Sequence, residues 1–116
     1  LGISCVGERK FRVLTRWRAT DGLNRAQVQW LGLESALPVP PEAEYLVDIL
    51  RKVLPELDAA YQHVDKRFDD AAWVGARIVE LIPLELADKQ ALLELNDPIE
   101  RLERLVSMIR RPAADE

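Results

Sequence analysis

The sequence is poor in the residues on which much small-protein chemistry depends. Of its 116 residues only Cys5 is a cysteine and only His63 is a histidine, and there are five glycines. A single cysteine excludes an internal disulfide and fits a reducing compartment. One histidine cannot by itself form a histidine-based metal cluster, and no cysteine lies near it in the sequence. The sequence therefore predicts no metal ion and no cofactor.

Signatures of nucleotide binding and of catalysis are also missing. The sequence has neither a GxxxxGK[ST] phosphate-binding loop nor a GxGxxG fingerprint, and no serine lies in a strand–turn–helix elbow. Cys5 falls on the apolar side of a predicted strand, where a buried, unreactive thiol is expected. Neighbouring carboxylates such as Asp69 and Asp70 fit helix capping better than paired acid–base catalysis. We therefore predict a protein without catalytic residues, not an enzyme.

Long apolar runs are absent as well. Charged residues interrupt the chain well before the roughly 18 apolar residues that a membrane-spanning helix needs, and no basic and then apolar signal stretch opens the sequence. With 48% hydrophobic and 31% charged residues, the composition is typical of a globular protein. These features predict a cytoplasmic protein with no membrane partner.

The charge is unevenly distributed along the chain. Residues 1–34 contain six basic and three acidic side chains, whereas the remainder contains ten basic and 17 acidic ones. A basic segment can indicate nucleic-acid binding, but no aromatic–basic recognition motif accompanies these charges. Solvated side chains that protect a sheet edge explain them better, so we predict no nucleic-acid partner.

The first third of the chain alternates between apolar and polar residues, which is typical of β-strands. The alternation covers residues 1–6 and 10–18 and resumes after Asp21-Gly22, a strong hairpin signal. In the second of these strands, Phe11 and Trp17 fall on one side. The pattern predicts a three-stranded antiparallel meander, which needs something packed on it for stability.

Beyond a proline-rich segment the apolar period changes to about 3.6, which is typical of amphipathic helices. Pro55 interrupts the first helical stripe and predicts a kinked pair of helices. The pair Asp69-Asp70 and the residue Asp97 are predicted amino-terminal caps, and Pro98 follows Asp97. The predicted fold class is therefore α+β, a short antiparallel meander followed by a helical bundle of four to five helices. Its predicted parts are a β-strand portion at 1–34, a proline-rich linker at 35–41, a helical portion at 42–111 and a frayed tail at 112–116.

The helical part carries a more specific pattern. Residues 81–95 read LIPLELADKQALLEL and residues 96–102 read NDPIERL. Together they closely resemble the end of the amino-terminal substrate-recognition domain of Lon proteases, where a "PL…KQ.LLE…D…RLE.L" pattern joins two helices. Earlier segments are similar to the same family in the same order. VGERKFRVL at 6–14 resembles the family's "GxxRFRVL" hairpin. DGL at 21–23 and VQWL at 28–31 resemble the "DGL…A.VEWL" that follows it. DAAWVG at 70–75 resembles a helix start in stand-alone bacterial Lon-domain proteins.

This resemblance implies binding without chemistry. It covers nearly all of these residues but only about the last three-fifths of a family domain, because the β-rich opening with "LPLFPL" and "LFPG" is missing. We therefore expect a piece of a longer polypeptide. Lon amino-terminal domains hold apolar or unfolded segments for a separate ATPase and protease, and this sequence has neither the ATPase loop nor the protease Ser–Lys dyad.

The sequence offers candidates for such binding near the junction of strands and helices. Large apolar side chains beside proline-rich loops can form a binding groove, and these are Trp17, Trp30, Leu31, Leu33 and Leu37. The competing interpretation is that most of them belong to the core. The first functional hypothesis is a non-catalytic protein-binding module for apolar or unfolded polypeptide segments. The alternative is a structural self-assembly module that forms a homo-oligomer without client binding.

Overall fold

The computed structural model describes residues 2–3 and 5–109, so the predicted tail at 112–116 lies outside the described residues. The chain divides into two compact units, Leu1–Leu33 and Glu34–Glu116, and each is described by itself. The described part of the first is a β-hairpin, and that of the second is helical. The predicted α+β class, a short antiparallel sheet followed by helices, is confirmed.

The first unit contains strand β1, Phe11–Arg18, and strand β2, Asn24–Trp30, which pair antiparallel. The predicted first strand at 1–6 is wrong for its described residues, none of which joins a ladder. Apolar alternation alone does not make a strand, because a strand also needs a neighbour for its backbone groups. Cys5 is likewise exposed rather than buried, since no sheet face covers it.

The second unit begins with a single 3-10 turn at Pro41–Ala43. Its α-helices are α1 at Glu44–Val53, α2 at Asp58–Tyr61, α3 at Ala71–Leu81, α4 at Leu86–Glu94 and α5 at Pro98–Met108. A second 3-10 turn at Leu54–Leu57 contains Pro55 and separates α1 from the single-turn α2. The predicted kinked pair at Pro55 is therefore confirmed.

Two aspartates fix helix starts, as predicted. Asp70 Oδ1 accepts a hydrogen bond from Ala72 N at 3.0 Å at the start of α3. Asp97 Oδ1 accepts from Ile99 N at 2.9 Å and from Glu100 N at 3.3 Å at the start of α5. Each carboxylate satisfies backbone donors that have no partner within the helix. The local sequence thus determines where both helices begin.

The described core lies in the helical unit. Its largest fully buried side chains are Leu46, Leu50, Leu54, Val74, Ile78, Leu92, Leu102 and Leu105. They recur at spacings of three and four residues along α1, α3 and α5, so each helix turns one apolar stripe inwards. Burial of each such side chain contributes about 1.5–3 kcal/mol. The Tyr45 hydroxyl also donates to the carbonyl oxygen of Ile109 at 2.7 Å, which ties α1 to the end of α5.

One charged side chain lies among these apolar residues. Arg101 on α5 is 4% exposed. Its guanidinium forms a bidentate ion pair with the Glu34 carboxylate, at 2.6 and 2.9 Å, and also donates to the carbonyl oxygens of Leu92 and Leu95. Gly75 on α3 leaves room for the arginine stem, because a Cβ at that position would lie 3.3 Å from Arg101 Cδ. The pair fixes the chain at Glu34 against α5.

Candidate functional site

The hairpin turn is built from its own backbone and one aspartate. Gly22 has a φ of 87°, a conformation that side-chain-bearing residues rarely adopt. Asp21 Oδ1 accepts a hydrogen bond from Leu23 N at 3.0 Å, and Arg18 Nε donates to the Gly22 carbonyl oxygen at 3.0 Å. The Asp21-Gly22 turn predicted from the sequence is therefore confirmed.

A bulge at Leu14 changes which side chains share a face. Val13 pairs with Val28 and Thr15 pairs with Gln27, so Leu14 has no partner in the ladder. An extra residue in one strand reverses the facing of everything beyond it. The predicted placement of Phe11 and Trp17 on one side is therefore wrong, because the alternation assumed an unbroken ladder.

The register defines two faces, since directly paired residues point to the same side of a sheet. The Trp30 face consists of the pairs Phe11/Trp30, Val13/Val28, Arg16/Ala26 and Arg18/Asn24. The Trp17 face consists of the pairs Arg12/Gln29, Thr15/Gln27 and Trp17/Arg25. Every residue of β1 is exposed, and on β2 only Val28 is partly buried.

Aromatic and basic side chains pack together at the open end of the Trp30 face. The rings of Phe11 and Trp30 meet edge to face with 5.8 Å between their centroids. The Arg9 guanidinium lies 4.7 Å from the centroid of the Trp30 ring, within the range of a cation–π interaction. Phe11 and Trp30 nevertheless remain 51% and 56% exposed. The cluster is ordered by its own contacts and still presents apolar surface.

The five residues proposed from the sequence as a binding site belong to both units, four to the first and Leu37 to the second. Trp17, which is 51% exposed, lies on the face opposite Trp30. Leu31 is partly buried and its backbone N donates to the Lys10 carbonyl oxygen, whereas Leu33 is 86% exposed. Leu37 belongs to the helical unit, where it borders a depression with the proline-rich segment and Asp70. The structure thus distributes these residues over two hairpin faces, the following segment and a second unit.

Phe11, Val13 and Arg16 also lie on the Trp30 face, and none of them was predicted from the sequence to be a site residue. Whether these residues share the face of Trp30 depends on the strand register. In a ladder without a bulge, the position of the Asp21-Gly22 turn would have determined that register. The Leu14 bulge carries no recognisable sequence signal. These three residues became candidates only once the pairing was known.

Groups capable of acid–base chemistry were also located. His63 and Cys5 are both exposed. Within residues 2–3 and 5–109, no three His, Cys, Asp or Glu side chains are grouped so that they could hold a metal ion. The Tyr61 hydroxyl donates to Glu80 Oε2 at 2.6 Å. Burial, together with that hydrogen bond and the charge of Glu80, raises the pKa of Tyr61 to about 12. A tyrosine held neutral in this way serves as a structural hydrogen-bond donor.

The helices were also compared with the dimensions of a membrane. Among the described residues, no helix has both the length and the apolar character needed to cross a bilayer.

Comparisons with known proteins place the chain beside Lon proteases. No family model matches it. It is 35% identical over 68 residues to Lon protease 3 of Sorangium cellulosum and 36% identical over 66 residues to the Lon protease of Escherichia coli. These matches cover 58% and 57% of this chain but only 8% of either protease.

A solved structure is similar over a larger share of the chain. The crystal structure of a Lon N-terminal domain protein from Xanthomonas campestris matches 90% of this chain with a TM-score of 0.73 and 33% identity. The match covers 54% of that protein, so this chain spans about half of its length. The resemblance to the Lon amino-terminal domain that the sequence predicted is thereby confirmed.

Proposed function

We propose that this chain, which shares the fold of a Lon amino-terminal domain, is a non-catalytic protein-binding module of the Lon substrate-recognition type. It binds apolar or unfolded polypeptide segments in the cytoplasm, without a cofactor. The observation that carries the proposal is the exposure of the packed pair Phe11 and Trp30, each with about half of its surface in solvent. Exposed apolar surface that is contiguous and bordered by polar residues often marks an interaction site.

The hairpin suits ligands of varied sequence. Aromatic side chains offer a large apolar contact at a small cost in conformational entropy, and they are enriched among residues that dominate binding energy. Covering the exposed half of an indole contributes about 2–3 kcal/mol. A two-stranded sheet also has backbone groups at its edges to which an extended segment can pair irrespective of its side chains. In the proposed site, Phe11 and Trp30 form the main contact, and Trp17, Leu31, Leu33 and Leu37 are further candidate contacts.

The proposal is tested by binding of an unfolded protein. Fluorescently labelled casein, reduced and alkylated, is titrated with the purified chain at high ionic strength, where charge attraction is screened. We expect saturable binding in the micromolar range that Trp30→Ala weakens several-fold. Leu86→Ala is the matched control, because Leu86 is 83% exposed but lies in the helical unit. Circular dichroism confirms that both variants remain folded.

Two results would contradict the proposal. A well-folded chain that does not bind casein has no client-binding function of this kind. Equal weakening by Leu86→Ala and Trp30→Ala would show non-specific adhesion to exposed apolar side chains.

Self-assembly into a homo-oligomer is the second candidate, and the same exposed hairpin supports it. Two copies could cover each other's aromatic side chains or pair their strand edges. Light scattering over a range of concentrations separates the candidates. An oligomer that Trp30→Ala dissociates, together with no casein binding, would favour assembly over client binding.

A further inference from the structure

The Trp30 face changes in chemistry along its length. Its two pairs at the open end, Phe11/Trp30 and Val13/Val28, consist only of apolar residues. The next two pairs towards the turn each contribute one arginine, Arg16 and Arg18. Successive pairs on one face of a sheet are separated by two residues, or about 6.6 Å. The face therefore has an apolar half and a basic half of about equal length.

The basic half is available to a ligand. Within the part of the chain that the structure describes, Arg16 forms no ion pair with a carboxylate. Arg18 is oriented by its hydrogen bond to the Gly22 carbonyl oxygen. A shallow depression extends from Val13 along the basic half towards the turn. Its border consists of Val13, Arg16, Arg18, Asn24 and Ala26 of the Trp30 face and of Trp17 and Arg25 of the Trp17 face. A ligand seated there would touch apolar and basic side chains at once.

We propose that the preferred ligands of this face are extended polypeptide segments in which two apolar residues and two acidic residues occupy successive alternate positions. Side chains on one side of an extended segment also recur every two residues, at the spacing of the pairs on the face. The apolar side chains of the segment contact Phe11/Trp30 and Val13/Val28, and its carboxylates lie beside Arg16 and Arg18. The pattern can be matched in either chain direction. This inference rests on the proposed function and adds a rule for its ligands.

Charge supports an acidic ligand over a basic or neutral one. Residues 1–34 contain twice as many basic as acidic side chains. A carboxylate beside an arginine gains attraction and faster encounter, whereas a lysine in the same place is repelled. Single-stranded nucleic acid also combines negative charge with stacking bases, and Arg9 over the Trp30 ring adds a cation beside the apolar half. Phe11, Val13 and Val28, however, offer phosphates no partner.

The test uses synthetic heptapeptides with free ends blocked and binding followed by fluorescence anisotropy at low salt. In the matching peptide, Phe occupies the first and third positions, Glu the fifth and seventh, and Ser the even positions. A peptide of identical composition with Phe and Glu interleaved at the odd positions is the pattern control. A third peptide has Lys in place of Glu. We expect the matching peptide to bind most tightly and the Lys peptide least tightly.

A pair of variants on the same strand locates the contact. Arg16→Gln should weaken the matching peptide about fivefold at low salt, as expected for loss of one exposed ion pair. Arg12→Gln removes the same charge from the Trp17 face and should leave binding within about twofold. Arg16→Glu should reverse the preference, so that the Lys peptide binds better than the matching one.

Each outcome decides the inference separately from the proposed function. If casein binds through Trp30 but the three peptides bind equally, the ligand rule is wrong and the binding function stands. If Arg12→Gln weakens the matching peptide as much as Arg16→Gln, net charge and not the Trp30 face selects the ligand. If neither casein nor any peptide binds, both proposals fail. If a single-stranded oligonucleotide displaces the matching peptide and binds more tightly with the same dependence on Arg16, the ligand is nucleic acid.

Discussion

Replacing Arg101 by methionine should destabilise the helical unit far more than the same replacement of Arg104 on the same helix. The Arg101 side chain is 5% exposed and that of its partner Glu34 is 15% exposed. The Arg104 side chain is 51% exposed and pairs with Glu100, which is 47% exposed, at 3.1 Å. The two arginines thus differ mainly in burial and in the number of acceptors they satisfy.

The expected magnitudes follow from that difference. Arg101→Met removes the bidentate ion pair to the Glu34 carboxylate and takes a donor from the carbonyl oxygens of Leu92 and Leu95. Loss of one partner from a buried ion pair costs about 3–5 kcal/mol. Loss of an exposed pair at i and i+4, such as that of Arg104, costs about 0.3–0.5 kcal/mol. Small domains have about 5–15 kcal/mol of stability in all. Arg101→Met should therefore lower the unfolding midpoint clearly, whereas Arg104→Met should hardly change it.

Urea unfolding followed by far-ultraviolet circular dichroism measures both variants, because the signal comes chiefly from the helices. The double variant Glu34→Leu with Arg101→Met tests the cause. Because the double variant also removes the Glu34 carboxylate, which is only 15% exposed, it should be more stable than Arg101→Met alone. A loss below about 1 kcal/mol for Arg101→Met, or no recovery in the double variant, would refute the reasoning from burial.

Three further predictions concern the helical unit. The pKa of Tyr61 is raised from 10.0 to about 12, so the contribution of the neutral hydroxyl to folding stability is complete below pH 10 and is lost as the pH rises through 12. Tyr61→Phe should abolish this alkaline fall in the urea midpoint. Asp97→Ala should lower the free energy of unfolding by about 0.5–2 kcal/mol because it removes the cap of α5. Asp97→Asn keeps an acceptor and should lower it less. Equal losses for the two variants would contradict a capping role. Gly75→Ala should not give the gain of about 1 kcal/mol expected in a helix, because its Cβ meets the fixed Arg101 stem. In the Arg101→Ala background, which lacks the Cγ and Cδ atoms that the new Cβ would meet, the same substitution should be stabilising. A double-mutant cycle with no coupling would contradict this.

Helix positions were predictable because their signals are local. Asp97 and Pro98 stand beside the helix that they start, and Pro55 stands within the stripe that it interrupts. The side chain that accepts from the backbone donors at a helix start lies within three residues of them, so the capping residue can be recognised in the sequence. The change of apolar period from two to about 3.6 predicted the α+β class, and the resemblance to Lon amino-terminal domains extended over the same segments.

Features that depend on pairing between distant residues could not be predicted in this way. The Arg101–Glu34 ion pair joins residues 67 positions apart, and neither is marked in the sequence as buried. The faces of the hairpin were misjudged because the bulge at Leu14 shifts the register without a sequence signal. The same shift changes the candidate site, since Trp17 leaves the face of Trp30 and Arg16 joins it.

Because Leu14 has no partner in β2, the two tryptophans of the hairpin lie on opposite faces. If β2 contained one more residue opposite Leu14, every side chain between that point and the turn would rotate to the other side. Trp17 would then join Phe11, Val13 and Trp30, while Arg16 and Arg18 would gather behind them. Phe11, Trp17 and Trp30 would then share one face, together with Arg25 and Gln27, which pair with Trp17 and Thr15. The bulge instead places the two indoles on opposite faces, so each face of the hairpin exposes one tryptophan to a ligand or a second copy.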